Sequence, residues 1–309
     1  MENQKSDYWM NYIQKEDPVI IKNSIEEKII TSNGKNIHLD IYDNANSDIN
    51  LIFIHGTAVY GRFYAELLYR LCKHFRIISM DLQGHGYSSG HRGHFTIEEL
   101  VQNVYDVTNY VHNTYGEKIV ISGSSLGGIL SFYAVGNDPR IKTAICNNLA
   151  ELSDGNMKSI LKLPLYLKLL SPFMFIGSKL MPRLSLSVWN YLDIENLVAF
   201  EETKSMINIF LKDPLLSKNY TLKALYSQMK APLRRNGEII TIDKIQTPIL
   251  LINGDIDPLF TLEYAKSIIK RLKCKKELFV VKGGNHLLLH EQMEECIKKY
   301  IQWLNDTFK

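Results

Sequence analysis

The chain has 309 residues, of which 45% are hydrophobic and 22% charged, with a formal net charge of +3. This composition excludes intrinsic disorder, and so small a charge excludes the concentrated basic face that a nucleic-acid binder carries. A polar start with Glu2, Lys5 and Asp7, and no run of about eighteen apolar residues anywhere, predict neither a secretory signal nor a spanning helix.

Residues 26–32 and 36–42 alternate apolar and polar positions around Ser32-Asn33-Gly34-Lys35, which predicts a β-hairpin. Runs at 50–54, 76–80, 118–122, 142–147, 248–252 and 277–281 are apolar throughout and separated by helical segments. Such runs are buried on both sides, so they predict a mostly parallel eight-stranded α/β sheet with helices on both faces. Between the strand ending near Asn147 and the one starting near Pro248 lie roughly a hundred residues without a clear strand, far longer than a normal connection. A helical lid is therefore expected over 151–245, inserted between core segments 1–150 and 246–309. Its first part carries Lys158, Lys162, Lys168, Lys179 and Arg183 without an acid, interleaved with leucines and phenylalanines. That pattern suits a surface that meets lipid, and equally a helix that packs its apolar side on the core while its lysines stay in water. Cys72, Cys146, Cys274 and Cys296 show no C-x-x-C spacing and read as buried free thiols of a reducing, cytoplasmic compartment.

The run Lys118-Ile119-Val120-Ile121 leads into Gly123-Ser124-Ser125-Leu126-Gly127 and then an apolar helical stretch, so a serine sits at the apex of a strand-turn-helix. Gly123 and Gly127 flank Ser125 at the positions that must stay small, which makes Ser125 the candidate nucleophile. A serine hydroxyl needs a base to remove its proton and a carboxylate to hold that base. The strand 248–252 emerges at Asn253-Gly254-Asp255-Ile256-Asp257; Asp257 is the candidate acid and Asp255 the turn former. The strand 277–281 emerges at Lys282-Gly283-Gly284-Asn285-His286, making His286 the candidate base. Oxyanion donors are expected from the N–H of Leu126 and, in the turn His55-Gly56-Thr57-Ala58, from that of Thr57. His55 precedes the serine and reads as structural; His290 lacks a third ligand, so no metal is expected, nor a cofactor.

With these parts in place the chain resembles the α/β-hydrolase superfamily over nearly its whole length. Asp81-Leu82-Gln83-Gly84-His85-Gly86-Tyr87-Ser88-Ser89-Gly90 is similar to a loop of the branch holding monoacylglycerol lipases, lysophospholipases and serine aminopeptidase-like hydrolases. Leu126 departs from the methionine common there, a change without effect on a backbone donor. The resemblance implies an α/β-hydrolase fold, a structural role for His85, and a serine hydrolase that cleaves small-molecule carboxylic esters of the monoacylglycerol or lysophospholipid kind through an acyl-enzyme, while the basic, apolar part of the lid adds an expected peripheral membrane contact. Two other readings stay open: an aminopeptidase or amidase, for which Glu201 and Glu202 could hold a substrate amine, and a non-catalytic binding protein on the same scaffold.

Overall fold

A computed structural model describes residues 7–154 and 173–309. Eight strands form one sheet: β1 (Ile25–Ser32), β2 (Lys35–Tyr42), β3 (Asn50–Ile54), β4 (Arg76–Met80), β5 (Ile119–Ser124), β6 (Ile141–Asn147), β7 (Ile249–Gly254) and β8 (Lys276–Val281). Their order is β1-β2-β4-β3-β5-β6-β7-β8. Only the β1–β2 and β2–β4 pairings are antiparallel. The expected strands therefore all form, each within two residues of its predicted ends. In the β1–β2 hairpin, Asn33 and Gly34 both take positive φ (51° and 66°), the two-residue turn whose twist matches the strands it joins.

Alternation along each central strand divides the core into two layers. Ile52 and Ile54 of β3 face helices α2 (Ile97–Tyr115) and α3 (Leu126–Asn137), whereas Leu51 and Phe53 face α1 (Ala65–Cys72) and the C-terminal helix Met293–Phe308. Helix α2 starts at a reciprocal cap: the Thr96 hydroxyl accepts from the Glu99 amide, and the Glu99 carboxylate accepts from the Thr96 amide. All four cysteines are unpaired, but only Cys146 and Cys296 are buried as expected; Cys72 and Cys274 are part-exposed. Among the described residues no helix is long and apolar enough to cross a membrane.

The long insertion between β6 and β7 is not free of strands, contrary to expectation. Ser185–Ser187 pairs with Asn219–Thr221, and Arg234–Arg235 with Glu238–Ile239. Segments of two or three residues show no periodicity, and docking of neighbours such as the buried Tyr220 holds them in place. The insertion's described helices are α4 (Met174–Leu180), α5 (Glu201–Ser205), α6 (Ile207–Lys212) and α7 (Leu222–Lys230). Lys158, Lys162 and Lys168 lie outside the described residues.

A buried charge network ties β2 to the segment that follows β3. Arg62 Nε and Nη2 donate to Asp40 at 2.8 Å each, and Nη2 also reaches Glu27 at 2.7 Å. His38 lies 3.2 Å from Glu27 and 3.5 Å from both Asp40 and Asp81. Burial works against charging His38, but Asp81 and Asp40 outweigh it, with Arg62 opposing, and push its pKa up to about 9. Burial likewise opposes ionising Asp81, but His38 and the Gly61 amide bring its pKa down to about 2. Because the folded value for His38 exceeds the unfolded value, its stabilisation is complete below pH 6.5 and disappears as the pH rises through about 9. The cost is on the order of 3 kcal/mol. Urea unfolding at pH 6.5 and at pH 9.5 should show this loss, and His38→Gln should flatten it; equal slopes for both proteins would exclude His38 as the source.

Candidate active site

Strand β5 ends at Ser124 and helix α3 begins at Leu126, which leaves Ser125 alone at the apex with φ 55° and ψ −115°. This backbone conformation is costly for a residue with a Cβ and is held by its surroundings. A Cβ on Gly123 would come within 2.4 Å of the Gly127 backbone, and one on Gly127 within 2.0 Å of the Ile54 carbonyl. The two glycines thus let helix and sheet backbones touch, and the Ser125 amide donates to the Asn147 carbonyl at 2.9 Å.

Asp257 and His286 come from the loops after β7 and β8, and both are buried. His286 Nδ1 lies 3.0 Å from Asp257 Oδ2. A carboxylate only accepts, so the hydrogen of this contact sits on Nδ1. The other Asp257 oxygen accepts the amides of Leu259 and Phe260 at 2.7 and 3.0 Å, and the Phe260 ring stacks on His286 at 5.6 Å. Asp255, the rival acid, accepts the Gly283 amide at 2.7 Å and so links the two loops. A residue that sequence reasoning missed completes the pair: buried Asn148, with φ 62°, donates from Nδ2 to Asp257 Oδ2 at 2.7 Å. Its only signal was its place directly after a buried strand.

Ser125, His286 and Thr57 line one cleft. Leu126 opens α3, so its N–H has no carbonyl one turn earlier to bond. Next to Thr57, Ala58 takes φ 67°; its N–H donates to the Tyr220 hydroxyl at 2.9 Å and its carbonyl accepts the Ser217 amide at 2.8 Å. Tyr220 in turn donates to His85 Nε2 at 2.7 Å, and His85 Nδ1 donates to the Gln83 carbonyl at 3.1 Å. Burial presses the His85 pKa down to about 3, so it stays a neutral brace. Tyr220, also missed from sequence, is therefore the link by which the 81–94 loop and the insertion fix the turn that bears Thr57. His55 is buried and neutral, accepting the Leu82 amide at 3.1 Å and donating to the Gly56 carbonyl at 2.8 Å.

The cleft walls are apolar and come largely from the insertion: Trp189, Leu197, Met206 and Phe210 face Val59 and Phe63. No acid lines it among the described residues. Glu201 and Glu202 are exposed on α5, Glu201 pairing with Lys204 at 2.7 Å. His290 also lines the cleft, but its Nε2 donates to the Phe63 carbonyl at 3.0 Å, and burial lowers its pKa to about 4. Glu27, His38 and Asp40 are close enough together to suggest a metal site, but none lines the cleft and the Arg62 guanidinium already bonds both carboxylates.

A serine elbow at the carboxyl edge of this sheet, over an apolar cleft, defines an α/β-hydrolase of the esterase and lipase type. Residues 45–293 match the family described as "Serine aminopeptidase, S33", and the chain belongs to it. A monoglyceride lipase homologue of Monkeypox virus is 25% identical over 267 residues, covering 82% of this chain and 86% of that one. Among solved structures, a monoacylglycerol lipase of Paleococcus ferrophilus superposes with a TM-score of 0.70 at 21% identity, over 92% of this chain and 99% of the other. A monoglyceride lipase of Saccharomyces cerevisiae, as a soluble variant with a substrate analogue, gives 0.71 at 16% identity, over 92% and 96%.

Strain at the apex gives a test that needs no substrate. Ser125→Gly should be more stable than Ser125→Ala by about 1 kcal/mol, since relief of a left-handed Cβ exceeds the entropic cost of glycine. Chemical unfolding of the two variants reads the difference; an alanine variant as stable as the glycine variant would mean that the apex is relaxed.

Proposed function

We propose that the protein is a serine hydrolase that cleaves carboxylic esters with apolar acyl groups, of the monoacylglycerol or lysophospholipid kind. Ser125 Oγ attacks the ester carbonyl while His286 Nε2 takes its proton. The N–H groups of Thr57 and Leu126 receive the negative oxygen of the tetrahedral intermediate. Collapse expels the alcohol, protonated by His286, and leaves an acyl group on Ser125. A water molecule, deprotonated by the same histidine, then releases the carboxylic acid. Asp257 fixes the tautomer of His286 and stabilises its charged form, and Asn148 positions Asp257. The chemistry uses no metal and no cofactor.

One observation carries this reading: the serine elbow and the hydrogen-bonded His286–Asp257 pair border a single cleft whose described walls are apolar and free of acid. Such walls favour an acyl chain over the charged amine of an aminopeptidase substrate. The likeness to monoglyceride lipases points the same way, although the family's own heading names an aminopeptidase. The insertion 151–245 then acts as the lid, because it supplies much of the cleft wall.

A fluorophosphonate probe should label Ser125, and p-nitrophenyl esters and monoacylglycerols should turn over faster than aminoacyl anilides. Ser125→Ala should lower kcat by roughly 10⁴-fold or more. An anilide preferred over every ester would reject the lipase-like substrate, and no adduct on the folded protein would reject the enzyme.

The lid also offers a membrane surface. Phe175, Ile176 and Leu180 of α4, with Met181 and Leu184 beyond it, are exposed beside Lys179 and Arg183. Apolar side chains flanked by cations suit the boundary of an anionic bilayer. The protein should cosediment with phosphatidylserine-containing vesicles, and Ile176→Glu combined with Leu180→Glu should weaken that binding at least tenfold; binding that survives the double variant would place the contact elsewhere.

A further inference from the structure

The segment Tyr8–Glu16 precedes the sheet and lies outside the family match, which starts at residue 45. It nonetheless reaches the cleft, where Tyr12 and Gln14 line the same space as Ser125 and His286. Two anchors hold it there. On the core side, the buried Glu66 carboxylate at the head of α1 accepts the backbone amides of Gln14, Lys15 and Glu16 at 2.9, 2.9 and 3.1 Å. On the insertion side, the Tyr12 hydroxyl donates to Asp213 Oδ2 at 2.7 Å, and Tyr8 donates to the Ile209 carbonyl at 2.6 Å. Gln14 Nε2 adds a contact to Met206 Sδ at 2.9 Å.

Asp213, just past α6, is fully buried and faces no cation in these bonds. Its Oδ2 is shared by Tyr12 and Tyr60, the latter at 2.8 Å, and its Oδ1 accepts the Leu215 amide at 2.7 Å. A buried carboxylate is expensive unless every lone pair is used, so removal of a phenol that satisfies it is felt locally. The ring of Tyr12 meets Phe63 edge-on at 5.0 Å and lies 6.4 Å from Phe210 of α6, so it wedges between core and insertion. Met206 and Phe210 line the cleft directly opposite the core residues.

We infer that the N-terminal segment is a wall of the substrate cleft, and that Tyr12, through Asp213, holds α6 at the spacing that limits the size of the acyl group admitted. The inference deepens the ester-hydrolase reading and rests on it only for the identity of the ligand. The wall itself is a matter of packing and hydrogen bonds.

Its test therefore reads binding as well as turnover. Straight-chain fatty acids from butyrate to palmitate are titrated calorimetrically against wild type, Tyr12→Ala and Tyr12→Phe. Tyr12→Ala should raise the affinity for the long members relative to the short ones by about tenfold, and Tyr12→Phe should shift the ratio in the same direction by less. Hydrogen exchange at the amides of α6 should quicken about tenfold in Tyr12→Phe while those of α3 stay unchanged, which reads the clasp without any ligand. Should the alanine variant fail to fold, the phenylalanine variant and its exchange rates decide the matter. Unchanged length selectivity together with unchanged α6 exchange would overturn the inference. A selectivity shift in a protein that fluorophosphonate does not label would instead uphold the wall and refute the hydrolase chemistry.

Discussion

The site depends on one steric constraint, the contact of two backbones at the centre of the sheet. Ile54 of β3 stands in register with Gly123 of β5, and the carbonyl of Ile54 is also the atom nearest to where a Cβ on Gly127 would stand. Only hydrogen fits in that gap. As a result the turn leaving β3 and the elbow leaving β5 emerge side by side, and Thr57 and Ser125 open on the same cleft. On the other flank, β6 separates β5 from β7, and its last residues do both jobs: Asn147 accepts the Ser125 amide, while Asn148 donates to Asp257. The crevice beyond the carboxyl ends of parallel strands is where this topology collects its loops, and the glycine contact sets where the serine stands among them.

The insertion is then bound to those same loops rather than merely placed above them. Asn285 and Leu287, which flank His286, donate to the carbonyls of Asn196 and Leu197 at 3.0 and 3.3 Å. Glu291 accepts the amides of Ala199 and Phe200 at 2.8 and 2.9 Å. Ser217 and Tyr220 grip the turn bearing Thr57, and Thr221 donates to the Gly93 carbonyl at 3.0 Å. The N-terminal segment closes the remaining side at Asp213. A displacement of the insertion would therefore be felt at His286 and at the turn bearing Thr57 together, which couples the insertion to the loops that line the cleft.

How much of this could be read from the sequence follows from the range of each signal. Six of the eight strands were legible because burial on two faces leaves continuous apolar runs, the first two because they alternate around a tight turn, and the elbow because its glycines lie within five residues of the chain. Asp257 was separable from Asp255 by its distance from the strand end, and the structure brings it to His286. Asn148, Tyr220 and Tyr12 were not legible. They act through long-range hydrogen bonds, Asn148 to Asp257, Tyr220 to Ala58 and His85, and Tyr12 to Asp213, and such bonds leave no pattern among neighbours in the chain. The short strand Ser185–Ser187 was missed for the same reason, since it finds its partner beyond residue 218, whereas Arg234–Arg235 and Glu238–Ile239 are neighbours in the chain but too short to show a period.

Histidine shows most plainly why residue type alone could not assign roles. His55, His85, His290, His38 and His286 all lie in or near the cluster of loops, yet their surroundings separate them. Burial without a carboxylate partner keeps His85 and His290 neutral, and each spends its ring on bracing a carbonyl or a phenol. His38 has Asp81, Asp40 and Glu27 around it and is held charged, so it serves as a structural cation and has no lone pair to offer. His286 alone combines one carboxylate, which fixes its Nδ1 proton, with a place on the cleft that Ser125 also lines. A general base requires a free lone pair and a partner that stabilises the cation once formed. Of these five rings, only the one at residue 286 has both a single carboxylate partner and a place on the cleft, and this supports the proposal of His286 as the base.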